Sequence, residues 1–260
     1  MNLSRLKPGD HHYMAYVGPP HQYDFMGATQ FCLLCALGLR SRHYLLDFGC
    51  GSLRAGRLLI NYLDQDRYFG IEPNKWLVDD AIKYQIGEDV LRIKRPQFDY
   101  NHDFLTNVFP VQFDYIVAQS IFSHAGADHI EVALHNFKES LKPDGLIVAT
   151  FIEGDFDYSG TGWIYPGCVN YRPETINMFA ERAGLFCTRI PWYHPRQTWY
   201  LFARERRQLP DSTMLEYLAG AVLYDSEFTE SWKRNDNYEH STRNSWINAL
   251  FRSIMKMIKY

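Results

Sequence analysis

The stretch Tyr44-Leu45-Leu46-Asp47-Phe48-Gly49-Cys50-Gly51 constrains this chain more than any other. A short apolar run ends in an acid and two closely spaced glycines, and apolar residues then recur at helical spacing over 53–63. That is strand, tight turn, helix. Glycines at such a turn let the backbone approach a ligand, and the helix that follows presents unpaired amides to a carboxylate or phosphate. The alternation continues. Residues 68–72 read as a second strand and 74–84 as a second helix, with Trp76 and Leu77 in its first turn. Residues 113–119 form a third clear strand and 128–141 a helix, and 146–151 form a fourth strand reached through the turn Lys142-Pro143-Asp144-Gly145. Strands alternating with helices predict an α/β fold: a doubly wound, mostly parallel sheet covered on both faces, which binds ligands at the carboxyl ends of its strands. The β-rich runs 185–192 and 198–203, with His194-Pro195-Arg196-Gln197 between them, predict that this sheet ends in an antiparallel hairpin.

At 260 residues the chain suits one large core with terminal additions better than two domains. A formal net charge of −3, with no long block of like charge, argues against duplex nucleic acid as a partner and for a neutral small molecule. An aromatic fraction of 16% fits a pocket lined with flat side chains as well as a packed core. The start, Met1-Asn2-Leu3-Ser4-Arg5-Leu6-Lys7-Pro8, lacks the apolar stretch of a signal peptide, and the longest early apolar run, 31–39, is far below a membrane span. A cytoplasmic location is therefore expected. Cys32, Cys35, Cys50, Cys168 and Cys187 are an odd, scattered set, unsuited to a disulfide framework. Cys32 and Cys35 form a C-x-x-C inside an apolar stretch without a second Cys or His pair at zinc spacing, so they read as part of a core helix and no metal is expected.

The glycine turn carries the chemistry. A dinucleotide fingerprint needs a third glycine at position 54, where this chain has Arg54, and Gly56 comes too late to serve. Asp47 would repel a pyrophosphate but can hold a cationic amino group. Glu72, closing the next strand, can accept both hydroxyls of a ribose. The expected ligand is zwitterionic and carries a ribose.

These residues resemble the class I S-adenosylmethionine-dependent methyltransferase family, with its Rossmann-like fold, over residues 44–203. The resemblance implies that Asp47, Gly49 and Gly51 face the methionine part of S-adenosyl-L-methionine and that Glu72 binds its ribose. It further implies that Asp103, in Asn101-His102-Asp103-Phe104, lies near the adenine amino group with Phe104 beside the ring. The family's fourth motif looks like Phe113-Asp114-Tyr115-Ile116-Val117-Ala118-Gln119-Ser120, which adds Gln119 to the cofactor set, and Leu141-Lys142-Pro143-Asp144-Gly145 is also similar. The family often has a third glycine where this chain has Leu53. Arg54 can compensate by pairing with the cofactor carboxylate, or it is an exposed arginine on a first turn.

Transfer from a sulfonium needs an in-line approach, an oriented acceptor, and a base if the acceptor still carries its proton. His124, in Ile121-Phe122-Ser123-His124-Ala125, follows the fourth-motif strand and is the first candidate for that base; a capping or surface histidine is the competing reading. His194 and Glu153 are reserve candidates. Residues 153–172, with Phe156, Tyr158, Trp163, Tyr165 and Tyr171 among glycines, read as an acceptor lid. Family members often close the cofactor cleft with an N-terminal segment, a role that falls here to Tyr16 or Tyr23. Near the end, Trp246, Ile247, Leu250, Phe251, Ile254, Met257 and Ile258 share one helical face. Such a helix can dock on its own core, join a second subunit as a homodimer contact, or rest on a membrane surface as a peripheral anchor. The expected organisation is an N-terminal helical lid segment (1–43), a methyltransferase core (44–205) and a C-terminal helical extension (206–260). The expected activity is methyl transfer to a small-molecule acceptor, with a hydroxyl oxygen of a sugar-like or natural-product compound as the favoured target. Against a nucleic-acid methyltransferase stands Gln119-Ser120-Ile121-Phe122, where an Asn-Pro-Pro-Tyr type motif would be needed. A protein methyltransferase and a non-catalytic S-adenosylmethionine-binding regulator also stay open at the level of sequence.

Overall fold

Strands covered by helices on both faces are buried throughout and mostly apolar. The inner ones here are: β1 (Leu45–Phe48) and β2 (Tyr68–Ile71) are buried at every position. β3 (Gln97–Asp99), β4 (Phe113–Ala118), β5 (Leu141–Phe151), β6 (Phe186–Ile190) and β7 (Thr198–Ala203) complete the sheet. In the computed structural model, which describes residues 5–220, these strands lie in the order β3-β2-β1-β4-β5-β7-β6. Pairing is parallel from β3 through β5, and β7 then runs antiparallel to both β5 and β6, as the hairpin signal predicts.

Alternate side chains of each strand enter separate layers. On one face Leu46, Phe48 and Ile116 pack with Phe137 of α6 (Ala127–Ser140) and Phe179 of α7 (Pro173–Arg182). On the other, Leu45, Val117, Val148 and Trp199 pack with α2 (Tyr23–Ala36), α3 (Gly56–Tyr62), α4 (Lys75–Ala81) and α8 (Ser212–Gly220). A short α1 (Tyr13–Tyr16) precedes α2, and α5 (Glu88–Lys94) leads into β3. Strand order reverses at β1, which pairs with β2 on one side and β4 on the other; Asp47 is in register with both Gly70 and Val117. Such a reversal opens a crevice beyond the carboxyl ends of the strands.

Several boundaries differ from expectation for local reasons. The helix after the glycine turn starts at Gly56 instead of 53, because Leu53 itself takes a left-handed backbone, φ 54°. The second helix is α-helical only to Ala81 and continues as a π-helical turn, Ile82–Ile86. β5 begins already at Leu141, which pairs with Phe113 before the register shifts and resumes at Tyr115 and Leu146. α5 buries no residue and β3 is a short edge strand, so neither leaves an apolar pattern to read. Cys32 and Cys35 lie on α2 with free thiols. The amphipathic stretch 246–258 lies outside the described residues, and no helix of those residues is long and apolar enough to cross a membrane.

Candidate active site

The crevice holds a cavity of about 570 Å³ whose floor is the carboxyl ends of β1, β2 and β4. Asp47, Gly49, Gly51, Arg54, Glu72, Phe104, Gln119 and His124 all line it. The backbone of the glycine turn leaves no room for side chains: a Cβ at Gly49 would meet Ile121 Cδ1 at 2.0 Å, and one at Gly51 would meet Val17 Cγ1 at 2.7 Å.

Asp47 is the one acid on the apolar strand β1, where the Tyr68 hydroxyl donates to its Oδ2 at 2.8 Å. Burial pushes its carboxyl up to about 6, opposed by that hydrogen bond and by the charge of Arg54. An acid so poorly solvated favours a cationic partner. Glu72 is raised by burial too, but its Oε2 accepts from the Gly51 amide (3.1 Å) and its Oε1 from the Asn74 amide (2.9 Å) and Nδ2 (2.8 Å). These contacts fix the carboxylate between the glycine turn and the chain leaving β2. Gln119 is buried, and neither atom of its amide has a partner among the described residues. An orphaned amide costs stability unless a ligand satisfies it. Burial lowers Arg54 to about 10, and its Nη1 donates to the Val17 carbonyl at 3.0 Å.

His124 follows β4 in the short turn Phe122–His124. Its Nδ1 lies 2.5 Å from the Gly167 carbonyl, so in the neutral ring Nδ1 carries the hydrogen and Nε2 keeps its lone pair. Burial lowers its pKa, which favours that neutral form. The lid expected at 153–172 is laced to the same turn: the Ile164 amide donates to the His124 carbonyl (2.9 Å), Val169 to Ser123 (2.8 Å), and both Asp128 oxygens accept from the Gly162 amide. Trp163 and Tyr165 flank the His124 ring, at centroid distances of 5.7 and 5.0 Å.

The remaining sequence-derived candidates fall elsewhere. Asp103 is not in the cavity wall; its side chain is 66% exposed and sits beside His102, so Asn101, His102 and Phe104 are what this segment presents to the cavity. Glu153 is engaged by Arg189 (3.1 Å) and by the Tyr200 hydroxyl (2.7 Å), away from the cavity. The Nδ1 of His194 accepts from the amides of Arg196 (3.2 Å) and Gln197 (3.0 Å), which makes it an organiser of the β6–β7 turn. Tyr16 lines the cavity, whereas Tyr23 is buried against Ser52. Asn74, His129, Arg196 and Gln197 also line the cavity, and no sequence motif points to them. The last two come there because Thr198 pairs with Phe151 at the carboxyl end of β5, a register that local sequence does not announce.

Comparison with known proteins bears on the domain and the fold. Residues 46–147 match the family described as "Methyltransferase domain". No curated protein matches the sequence. Among solved structures, magnesium protoporphyrin IX methyltransferase from Synechocystis PCC 6803, crystallised with S-adenosylhomocysteine, aligns over 71% of this chain and 86% of its own, at 12% identity and a TM-score of 0.54. A glycopeptide N-methyltransferase aligns over 69% and 90%, at 10% identity and a TM-score of 0.54. An O-methyltransferase from neocarzinostatin biosynthesis aligns over 70% and 54%, at 16% identity and a TM-score of 0.51. Residues 46–147 thus carry a methyltransferase domain, and the fold is the one shared by S-adenosylmethionine-dependent methyltransferases. S-adenosylmethionine is the cofactor of that class, and the poorly solvated Asp47 and the unsatisfied Gln119 amide fit a cationic, hydrogen-bonding ligand of its kind.

Proposed function

We propose that this chain methylates a hydroxyl oxygen of a small sugar-like or natural-product acceptor. The observation that carries the reading is the sharing of one cavity by an acid-lined glycine turn and a histidine that keeps its Nε2 lone pair under an aromatic lid. S-adenosylmethionine supplies the methyl group on its sulfonium. Asp47 holds the amino group, Glu72 the ribose hydroxyls, Arg54 the carboxylate, and Gln119 with Phe104 the base. The Nε2 of His124 accepts the proton that the acceptor hydroxyl loses, while the Gly167 carbonyl keeps Nδ1–H in place. Trp163 and Tyr165 exclude water from that step.

The test is transfer of isotope-labelled methyl from S-adenosylmethionine to a panel of hydroxylated small molecules. His124→Gln should lower kcat by about a hundredfold or more with donor affinity unchanged, the usual contribution of a positioned base. Label appearing only in protein or RNA, or donor binding without turnover on any acceptor, would overturn the small-molecule reading.

A further inference from the structure

Two arginines border the cavity, and they are not equivalent. Arg54 has a carbonyl partner and acts electrostatically on Asp47. Arg196, at the tip of the 191–197 connection, lines both the cavity and a small side pocket beside Val17 and Pro195. Its guanidinium has no ion pair or hydrogen bond among the described residues. The groups on which its charge acts are Arg54, His124 and His194, and it opposes the protonated form of each. The two carboxylates lining the cavity among the described residues, Asp47 and Glu72, are already committed to Tyr68, Gly51 and Asn74.

The turn nevertheless holds the backbone of Arg196 in place. His194 ties the Arg196 and Gln197 amides through its Nδ1, and Gln197 Nε2 donates to Ser120 Oγ (3.0 Å) and reaches Ser123 Oγ at 3.4 Å, at the end of β4. A guanidinium on the cavity wall beside the charge of Arg54, with no counter-charge among the described residues, is a site for an anion, and its planar fork matches a carboxylate or phosphate in two parallel hydrogen bonds. The overall charge of −3 conceals this local positive end of the cavity.

We infer that Arg196 determines acceptor specificity by holding a carboxylate or phosphate on the acceptor, so that the acceptor is an anionic small molecule. The inference rests on the small-molecule reading above and narrows it. Anchored at Arg196, such an acceptor presents its hydroxyl to His124 from a fixed direction. The donor's own carboxylate is a second source of such an anion, and the test separates the two.

The full-length protein, saturated with S-adenosylhomocysteine, is titrated with 4-hydroxybenzoate and 4-hydroxyphenyl phosphate, and with neutral 4-hydroxybenzamide, by calorimetry and ligand-observed NMR. At least one anion should bind wild type, and Arg196→Gln should weaken it by about tenfold to a hundredfold, the usual cost of a charge-assisted pair. Arg196→Lys should recover part of that loss, and the amide should bind both proteins equally weakly. S-adenosylhomocysteine affinity and Tm should be unchanged in both variants, since Arg196 is exposed and its side chain bonds to nothing in the described fold. Loss of S-adenosylhomocysteine affinity in Arg196→Gln would assign the anion to the donor and overturn the proposal. So would anion binding that is undetectable in wild type or indifferent to Arg196. Failure of wild type to bind S-adenosylhomocysteine at all is a different result, and it would remove the cofactor assignment itself.

Discussion

Asp47 carries opposite consequences for stability and for binding. Burial raises its carboxyl from 3.8 to about 6, so between those values the folded protein keeps a proton that the unfolded chain has released. The stabilisation this provides is complete below 3.8 and is lost as pH rises through about 6. Above that pH a charged, buried Asp47 costs the ligand-free protein up to about 3 kcal/mol, the interval from 3.8 to about 6 taken at 1.36 kcal/mol per pH unit. Asp47→Asn should therefore be more stable than wild type at pH 8 in urea denaturation, with the difference vanishing toward pH 4. Binding runs the other way, because a cationic amino group needs the ionised acid. S-adenosylmethionine affinity measured by calorimetry should fall by about tenfold per pH unit below about 6. Asp47→Asn should bind weakly at every pH. A flat pH profile in wild type would mean that Asp47 does not meet the amino group. Sequence alone exposes this residue, Glu72 and the glycines because a strand, a turn and a helix follow one another within a few positions. It cannot expose Arg196 or Asn74, whose places depend on the register of β7 and on the chain leaving β2.

At the scale of elements, the glycine turn departs at Leu53 from the pattern of the family it resembles, and the structure gives the physical reason that departure is tolerated. Leu53 adopts φ 54°, a conformation that costs a residue with a Cβ roughly 1–2 kcal/mol. Its side chain is fully buried in the layer beneath α3, where a Cβ at Gly56 would lie 2.9 Å from Leu53 Cδ2. Removing a buried leucine side chain costs about 2–5 kcal/mol, which exceeds the strain relieved. Leu53→Gly should thus lower the unfolding free energy measured in urea by a net of about 1–3 kcal/mol, although glycine suits the backbone better. A more stable Leu53→Gly variant would show that strain outweighs packing at this turn. Gly51→Ala should behave differently: φ 54° combines with a 2.7 Å approach to Val17, so the N-terminal segment must lift and donor affinity should fall with only modest loss of Tm. The inner elements are legible in the sequence because burial on both faces writes a continuous apolar run, as in 45–48 and 113–118. β3 and α5 are not, because an exposed edge strand and a helix without a buried residue write no such pattern.

Over the whole described unit, the cavity is closed by two segments far apart in sequence that meet each other above it. The Tyr165 hydroxyl donates to the Tyr16 carbonyl at 2.6 Å, joining the 153–172 lid to the N-terminal segment. That segment is held in turn by Arg54 at the Val17 carbonyl and by Val17 packed on Gly51. The sheet and both core layers lie in the chain from α2 onward, so closure and folding rest on largely separate residues. Deleting residues 1–18 should therefore leave a folded domain with a similar far-ultraviolet spectrum but a damaged donor site. A ligand at a hundred times its Kd adds about 2.7 kcal/mol of stability, and about 2–4 °C of Tm per kcal/mol is usual for a domain of this size. Wild type should thus gain roughly 5–10 °C with S-adenosylhomocysteine at that level, and the deletion variant at the same concentration should gain about 2 °C or less. Tyr165→Phe, which breaks only the link between the two segments, should fall between them and act mainly on the dissociation rate, since the groups that recognise the donor remain in place. Equal shifts in all three proteins would mean that the N-terminal segment covers the cofactor without contributing to its binding, leaving the glycine turn, Glu72 and Asp47 to hold it unaided.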